Sequence, residues 1–127
     1  MFVLKPKTES FFYPVTVPVV TDAGVTQNFK FEMSFRRKTR TELAELQSRN
    51  AGQEGIEAAT GAEALERDVD YILDIADGWR QVQDETGQPV PFERDTIRSL
   101  IDTYPTAAGP IVGAFFEATL GGGKRKN

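Results

Sequence analysis

Two neighbouring segments alternate apolar and polar residues with the two-residue period of a β-strand, and this pattern constrains the fold more than any other feature of the chain. Phe11, Tyr13, Val15, Val17 and Val19 occupy every second position, and after a short break Phe29, Phe31, Met33 and Phe35 do the same. Successive side chains of a strand point to opposite faces, so each segment carries one apolar face. Thr21-Asp22-Ala23-Gly24 between them supplies turn chemistry, which predicts a β-hairpin over about residues 11–36. Pro14 and Pro18 fall on the other face of the first segment. Proline cannot donate to a sheet ladder, so this strand is expected at an edge or paired on one side only. A lone hairpin is marginal in water, and its aromatic face must be covered by the helices that follow or by another chain.

The rest of the chain reads as helices separated by glycine and proline. Thr39 or Thr41 is placed to open a helix over 40–49 with Leu43 and Leu46 inward, and the glycine-containing stretch from Asn50 to Gly61 breaks it. A second helix is expected over 62–77, with Thr60 as its cap. Leu65, Val69, Ile72, Leu73, Ile75, Ala76 and Trp79 would share one arc of it. Asp84-Glu85-Thr86-Gly87 followed by Pro89-Val90-Pro91 predicts a turn into an extended stretch. A third helix over 93–104 would bury Ile97, Leu100, Ile101 and Tyr104 and stop at Pro105. A fourth over 106–120 offers Ile111, Val112, Phe115 and Phe116, and Gly121-Gly122-Gly123 ends it, leaving 121–127 as a flexible basic tail. The expected fold class is α+β and mainly helical, with an N-terminal β-hairpin packed on about four helices in a single domain over 1–120.

Composition narrows the function. A chain of 127 residues, 39% apolar and 27% charged, has the balance of one folded domain. Fifteen basic against nineteen acidic residues leave a net charge of −4, the wrong sign for gripping nucleic acid through its phosphates. There is no cysteine and no histidine, which removes thiolate nucleophiles, sulfur-ligated metals and the side chain that titrates nearest neutral pH. Met1 to Ser10 lacks a continuous apolar core, and no stretch reaches the ~18 apolar residues needed to span a bilayer. The expectation is a cytoplasmic protein without a membrane partner. Asp68-Val69-Asp70 lacks the glycine and distal glutamate of a calcium loop, and Gly121-Gly122-Gly123-Lys124 lacks the spacing of a phosphate cradle. No catalytic residue, cofactor or metal ligand is assigned, so the chain is expected to hold other proteins and not to be an enzyme.

Two charged patches stand out. Glu63, Glu66, Asp70, Asp74 and Asp77 form a stripe opposite the apolar arc of the second helix. A solvated face is the ordinary reading, but Asp74 and Asp77 fall in its last turn, where the helix dipole disfavours negative charge by roughly 0.3–1 kcal/mol each. Arg36-Arg37-Lys38 with Arg40 lies at the hairpin exit. One subunit's acidic stripe meeting the next one's basic turn would join copies of the chain.

A longer pattern is more specific. Ile72-Leu73-Asp74-Ile75-Ala76-Asp77-Gly78-Trp79 is followed by Val82-Gln83-Asp84-Glu85-Thr86-Gly87-Gln88-Pro89-Val90-Pro91-Phe92. Then come Leu100-Ile101-Asp102-Thr103-Tyr104-Pro105 and Phe115-Phe116-Glu117-Ala118-Thr119-Leu120-Gly121. In order and spacing this half of the chain resembles the tail assembly chaperones of long-tailed bacteriophages. In that family Glu93 stands where a small capping residue is expected. The resemblance implies a protein of the bacterial host cytoplasm that binds the tape-measure protein, helps recruit tail-tube subunits, self-associates and is not retained in the virion. It also makes Gly122-Gly123-Lys124 compatible with a ribosomal slip site that yields a longer form. The competing expectation is a small structural virion protein, a tail-tube or connector subunit. Trp79, Phe92 and Tyr104 are expected as core and turn residues. The residues expected to meet protein partners are Phe29, Phe31, Phe35, Arg36, Arg37, Asp70, Asp74, Asp77, Phe115 and Phe116.

Overall fold

The hairpin forms where the alternation places it. In the computed structural model, which describes residues 2–53 and 61–121, strands β1 (Ser10–Val20) and β2 (Thr26–Arg36) pair antiparallel along their whole length. Phe11 lies opposite Phe35, Tyr13 opposite Met33, Val15 opposite Phe31 and Val17 opposite Phe29, so both apolar rows share one face. The turn closes through 2.9 Å hydrogen bonds from Thr21 N to Val25 O and from Gly24 N to Thr21 O. Gly24 adopts a φ of 78°, a conformation that costs glycine little. β1 is an edge strand, as its prolines require, and the Thr106 hydroxyl donates to the Pro18 carbonyl on that edge at 2.7 Å.

The sheet has a third strand that the helical spacing concealed. Helix α2 (Gly61–Ile75) ends two residues before the expected boundary, and the chain passes directly into β3 (Ala76–Arg80), which pairs antiparallel with β2. Phe35 lies opposite Ala76 and Ser34 opposite Gly78, so Asp77 is an extra, bulged residue. The bulge returns Ala76 and Trp79 to the same side although they are three positions apart. Ala76, Asp77 and Trp79 therefore belong to a strand and not to the helix. Gly78 is a poor helix residue, and the free edge of β2 offers the backbone partners that draw this segment into the sheet.

The other helices are close to expectation. α1 (Arg40–Gln53) opens at Thr39, not Thr41: Thr39 N donates to Glu42 Oε1 at 2.8 Å and Glu42 N donates to Thr39 Oγ1 at 3.1 Å, a reciprocal capping box. It runs past the expected break at Asn50, while the rest of that break, with Ile56 and the expected cap Thr60, lies outside the described residues. α3 (Arg94–Thr103) starts after Glu93, whose N–H donates to Thr96 Oγ1 at 3.1 Å, a capping-box contact made although Glu93 is not the small capping residue expected there. Tyr104 is not buried with Ile97 and Ile101 as expected but is 42% exposed. α4 (Ala108–Leu120) ends at Gly121 with a φ of 85°; the rest of the expected basic tail lies outside the described residues.

The core closes over the apolar face of the hairpin. Val15, Val17, Phe31, Met33 and Phe35 cluster with Leu43 and Leu46 of α1, Val69, Ile72 and Ile75 of α2, Ile97 and Ile101 of α3, and Ile111, Ala114 and Phe115 of α4. α4 packs along β1, and α2 packs against β2, β3, α3 and α4. Phe35 is fully buried, with its ring centre 5.7 Å from that of Phe115 and 6.1 Å from that of Phe11. Burying a side chain of this size contributes roughly 1.5–3 kcal/mol. The sheet and four helices define an α+β fold.

Candidate protein-binding groove

At the turn end of the hairpin the core is left open. The chain leaves β3 through Gln81, whose φ of 70° is the one positive value at a non-glycine residue among the described residues. It then doubles back on itself. Val90 N donates to Val82 O and Asp84 N to Gln88 O, both at 2.9 Å. Asp84 Oδ1 accepts from Thr86 N at 2.8 Å, Thr86 Oγ1 at 2.6 Å and Gln88 N at 3.1 Å. These bonds, the Thr86 hydroxyl first, hold the Asp84 carboxyl below its ordinary pKa. Trp79 ties the loop to the sheet: its Nε1–H donates to Val90 O at 2.8 Å, and its ring meets Phe92 and Phe31 edge to face at 5.1 and 6.3 Å.

This loop forms one wall of a groove of about 580 Å³ between the hairpin tip and the end of α3. Val17 and Phe31, both buried, and Val82 and Leu100, both half-buried, give it an apolar floor. Its rim is bare: Val20 is 68% exposed, Phe29 47% and Tyr104 42%. Asp22, Lys30, Gln81 and Gln83 supply polar groups around it. Exposed apolar side chains around a concave apolar floor mark a site that takes up apolar groups from elsewhere.

The expected partner residues divide sharply between core and surface. Phe29 lines the rim of this groove and Phe31, 7% exposed, its floor, whereas Phe35 and Phe115 are wholly buried, so this chain's own packing takes up most of the aromatic surface expected to be available. Phe116 is half-buried, its ring 5.1 Å from that of Phe115. The acidic stripe is answered within the chain. Glu66 accepts from Arg94 at 3.1 Å and from Arg98 at 2.5 Å, Asp70 pairs with Arg94, and Asp74 meets Arg49 at 2.7 Å and Lys38 at 3.8 Å. Asp77, carried off the helix by β3, accepts from the Ser10 hydroxyl. Burial pushes the Asp77 carboxyl up, but hydrogen bonds from Ser10 and Ser34 and the Arg36 charge outweigh it and leave the pKa below its ordinary value. Of the basic turn, Lys38 meets Asp74 and the Arg36 charge acts on Asp77, while the other partners of the stripe, Arg49, Arg94 and Arg98, come from α1 and α3. Asp68 lies exposed at the rim of the apolar arc.

Arg37 does a separate job. Its backbone N–H donates to Glu9 O at 2.9 Å, its Nε to Thr8 O at 3.0 Å and its Nη2 to Thr8 Oγ1 at 3.5 Å, while the guanidinium stands 5.1 Å from the Phe11 ring centre. Arg36 is exposed. Sequence reasoning passed over Val20, Gln81, Val82 and the exposure of Tyr104. The apolar residues Val20 and Val25 flanking a polar turn were the available signal.

No group of three or more metal-ligating side chains occurs among the described residues, and no described helix is long and apolar enough to cross a membrane. An apolar groove with a bare rim at one end of a sheet is a feature of proteins that hold a short stretch of another chain. The chain belongs to the phage tail assembly chaperone family, whose model matches residues 1–127. Comparison with curated proteins and with solved structures gives no match.

Proposed function

We propose that this chaperone binds apolar stretches of the tape-measure protein in the host cytoplasm, helps recruit tail-tube subunits to it, and is left out of the finished virion. The observation that carries the reading is the groove. A long tape-measure chain awaiting its tube exposes apolar segments, and Val20, Phe29 and Tyr104 around the floor of Val17 and Phe31 suit a short segment of that kind. The protein acts by binding and release, with Phe29 as its contact from the expected set. Of the remaining candidates, Phe116 is the aromatic residue partly open to a second contact, and the ion-paired Asp70 and Asp74 and the exposed Arg36 act at most at its margin.

The test is co-expression with the tape-measure product, followed by a pull-down of wild type and of a Val20→Asp/Phe29→Ser variant whose fold is checked by circular dichroism. Retention by wild type and its loss in the variant are expected. Failure of wild type to retain the tape-measure protein overturns the reading, and so does finding the chain in purified particles, the result expected of a tail-tube or connector subunit.

A further inference from the structure

The segment that precedes β1 carries apolar side chains that the described residues leave uncovered. Phe2 is 95% exposed, Val3 58% and Leu4 98%. The chain bends at Leu4 and Lys5 and again at Lys7, and these apolar side chains stand clear of the sheet before the bends. At the other end of the hairpin the groove has an apolar floor and a rim of exposed apolar side chains. The molecule thus holds both an apolar plug and an apolar socket.

They do not meet within one copy. Arg37 pins the arm at Thr8 through the Thr8 carbonyl and hydroxyl, and the bond from Arg37 N to Glu9 O carries the ladder past Ser10, away from the turn. From Thr8 to the level of Phe31, the groove residue that lies opposite Val15, is about 23 Å at roughly 3.3 Å per residue. From Thr8 back to Phe2 the chain spans at most about 20 Å. The arm's backbone stops short of its own groove even when fully extended, and Phe2 and Leu4 lie exposed outside it. We infer that the Phe2–Leu4 arm of one copy docks in the Val17–Phe29–Tyr104 groove of a second copy.

The large apolar side chains of Phe2 and Leu4 suit an apolar floor, and of the charged residues around it Asp22 can meet Lys5 or Lys7 whereas Lys30 repels them. Three apolar side chains bury far less than the roughly 1,200 Å² of a stable interface, so the contact is reversible and concentration-dependent. The inference rests on the groove as a seat for apolar segments and not on the tape-measure protein as its client. Failure of the pull-down above therefore leaves it standing.

The experiment uses two full-length variants altered only at exposed positions: Phe2→Ser/Leu4→Ser, which keeps the groove, and Val20→Asp/Phe29→Ser, which keeps the arm. Sedimentation velocity from micromolar to millimolar protein is expected to show wild type self-associating and each variant alone remaining monomeric. An equimolar mixture of the two variants regains association and stops at one copy of each, because the pair retains one working arm and one working groove. A synthetic peptide of residues 2–8, titrated into the arm variant, is expected to shift the amide resonances of Val17, Phe29 and Tyr104 saturably, and a peptide with serine at positions 2 and 4 is not. Wild type that stays monomeric throughout overturns the inference. So does an arm variant that associates as wild type does, or a mixture that remains monomeric.

Discussion

The two ends of the hairpin are built by different means although the strands between them are continuous. At the end remote from the turn, Ser10 bonds Asp77, Arg37 holds Thr8 and Glu9, and Lys38 and Arg49 flank Asp74, while Phe35 is sealed beneath them against Phe11 and Phe115. At the turn end the same aromatic row reaches Phe29, which is half open to solvent beside Val20 and Tyr104. Ion pairs between exposed groups contribute about 0–1 kcal/mol each, so they orient the closed end more than they stabilise it. The stability lies in the buried aromatic residues beneath. The open end has the same chemistry but leaves its aromatic side chain half uncovered.

The sharpest way to break this contrast uses two phenylalanines of one strand face. Phe35→Ala empties a fully buried site and is expected to cost about 3–5 kcal/mol in urea denaturation. Phe29→Ala is expected to cost less than about 1 kcal/mol yet to weaken binding of the client segment. Equal losses of stability at the two positions would show that the turn end is as closed as the other. Next in size is Trp79→Phe, which keeps most of the ring but takes the donor from the Val90 carbonyl. A stability loss of roughly 1–3 kcal/mol is expected, with faster amide exchange at Asp84 and Val90, since Trp79 anchors the loop that walls the groove.

The closed end was largely legible in the sequence because its determinants are periodic: the odd-numbered residues of both strands, the Val69–Ile72 face of α2 and the Ile97–Ile101 face of α3 are where the pattern put them. The fold was least legible at β3. One bulged residue at Asp77 turned a two-residue strand period into the three-residue spacing of Ala76 and Trp79, which is helical spacing. That single displacement moved Asp77 off the acidic stripe, whereas the turn at Asp84–Gly87 beyond it forms where its residues predict. The groove itself was scarcely legible. Periodicity marks which residues prefer to be covered, but whether Phe35 or Phe29 receives that cover depends on where α3 and α4 end, and only the packed structure determines that. The pairing of Asp74 with Lys38 and Arg49 was hidden for the same reason, because opposite charges in a sequence do not say whether they meet within a molecule or between two.

A smaller effect is expected at the junction between β3 and the groove. Gln81 holds a left-handed conformation that costs a side-chain-bearing residue about 1–2 kcal/mol, and Gly avoids it at an entropic cost of roughly 0.5–1 kcal/mol. Gln81→Gly is therefore expected to stabilise the fold by less than about 1 kcal/mol, seen as a small rise in Tm. A fall in Tm would mean that the Gln81 side chain contributes to the groove wall more than its backbone costs.

The smallest expected effect tests the closed end through its titration. A carboxyl whose folded pKa lies below its unfolded value contributes stability above the unfolded value and loses it as pH falls through the folded one. Asp77 is such a group: hydrogen bonds from Ser10 and Ser34 and the Arg36 charge hold its pKa down against the opposing effect of burial. Ser10→Ala removes one of those bonds, so the Asp77 pKa should move up toward its ordinary value. Since Asp77 is exposed, the variant is expected to lose less than about 0.5 kcal/mol at neutral pH. The difference from wild type should shrink as acid protonates Asp77 in both proteins. Asp84 provides the internal control at the other end. Its pKa is lowered in the same direction, but by bonds from Thr86, Gln88 and Gly87 within its own loop, so its resonance should titrate identically in both proteins. A shift in the Asp84 titration on replacing Ser10 would mean that the two ends of the molecule are coupled, contrary to the separation drawn between them.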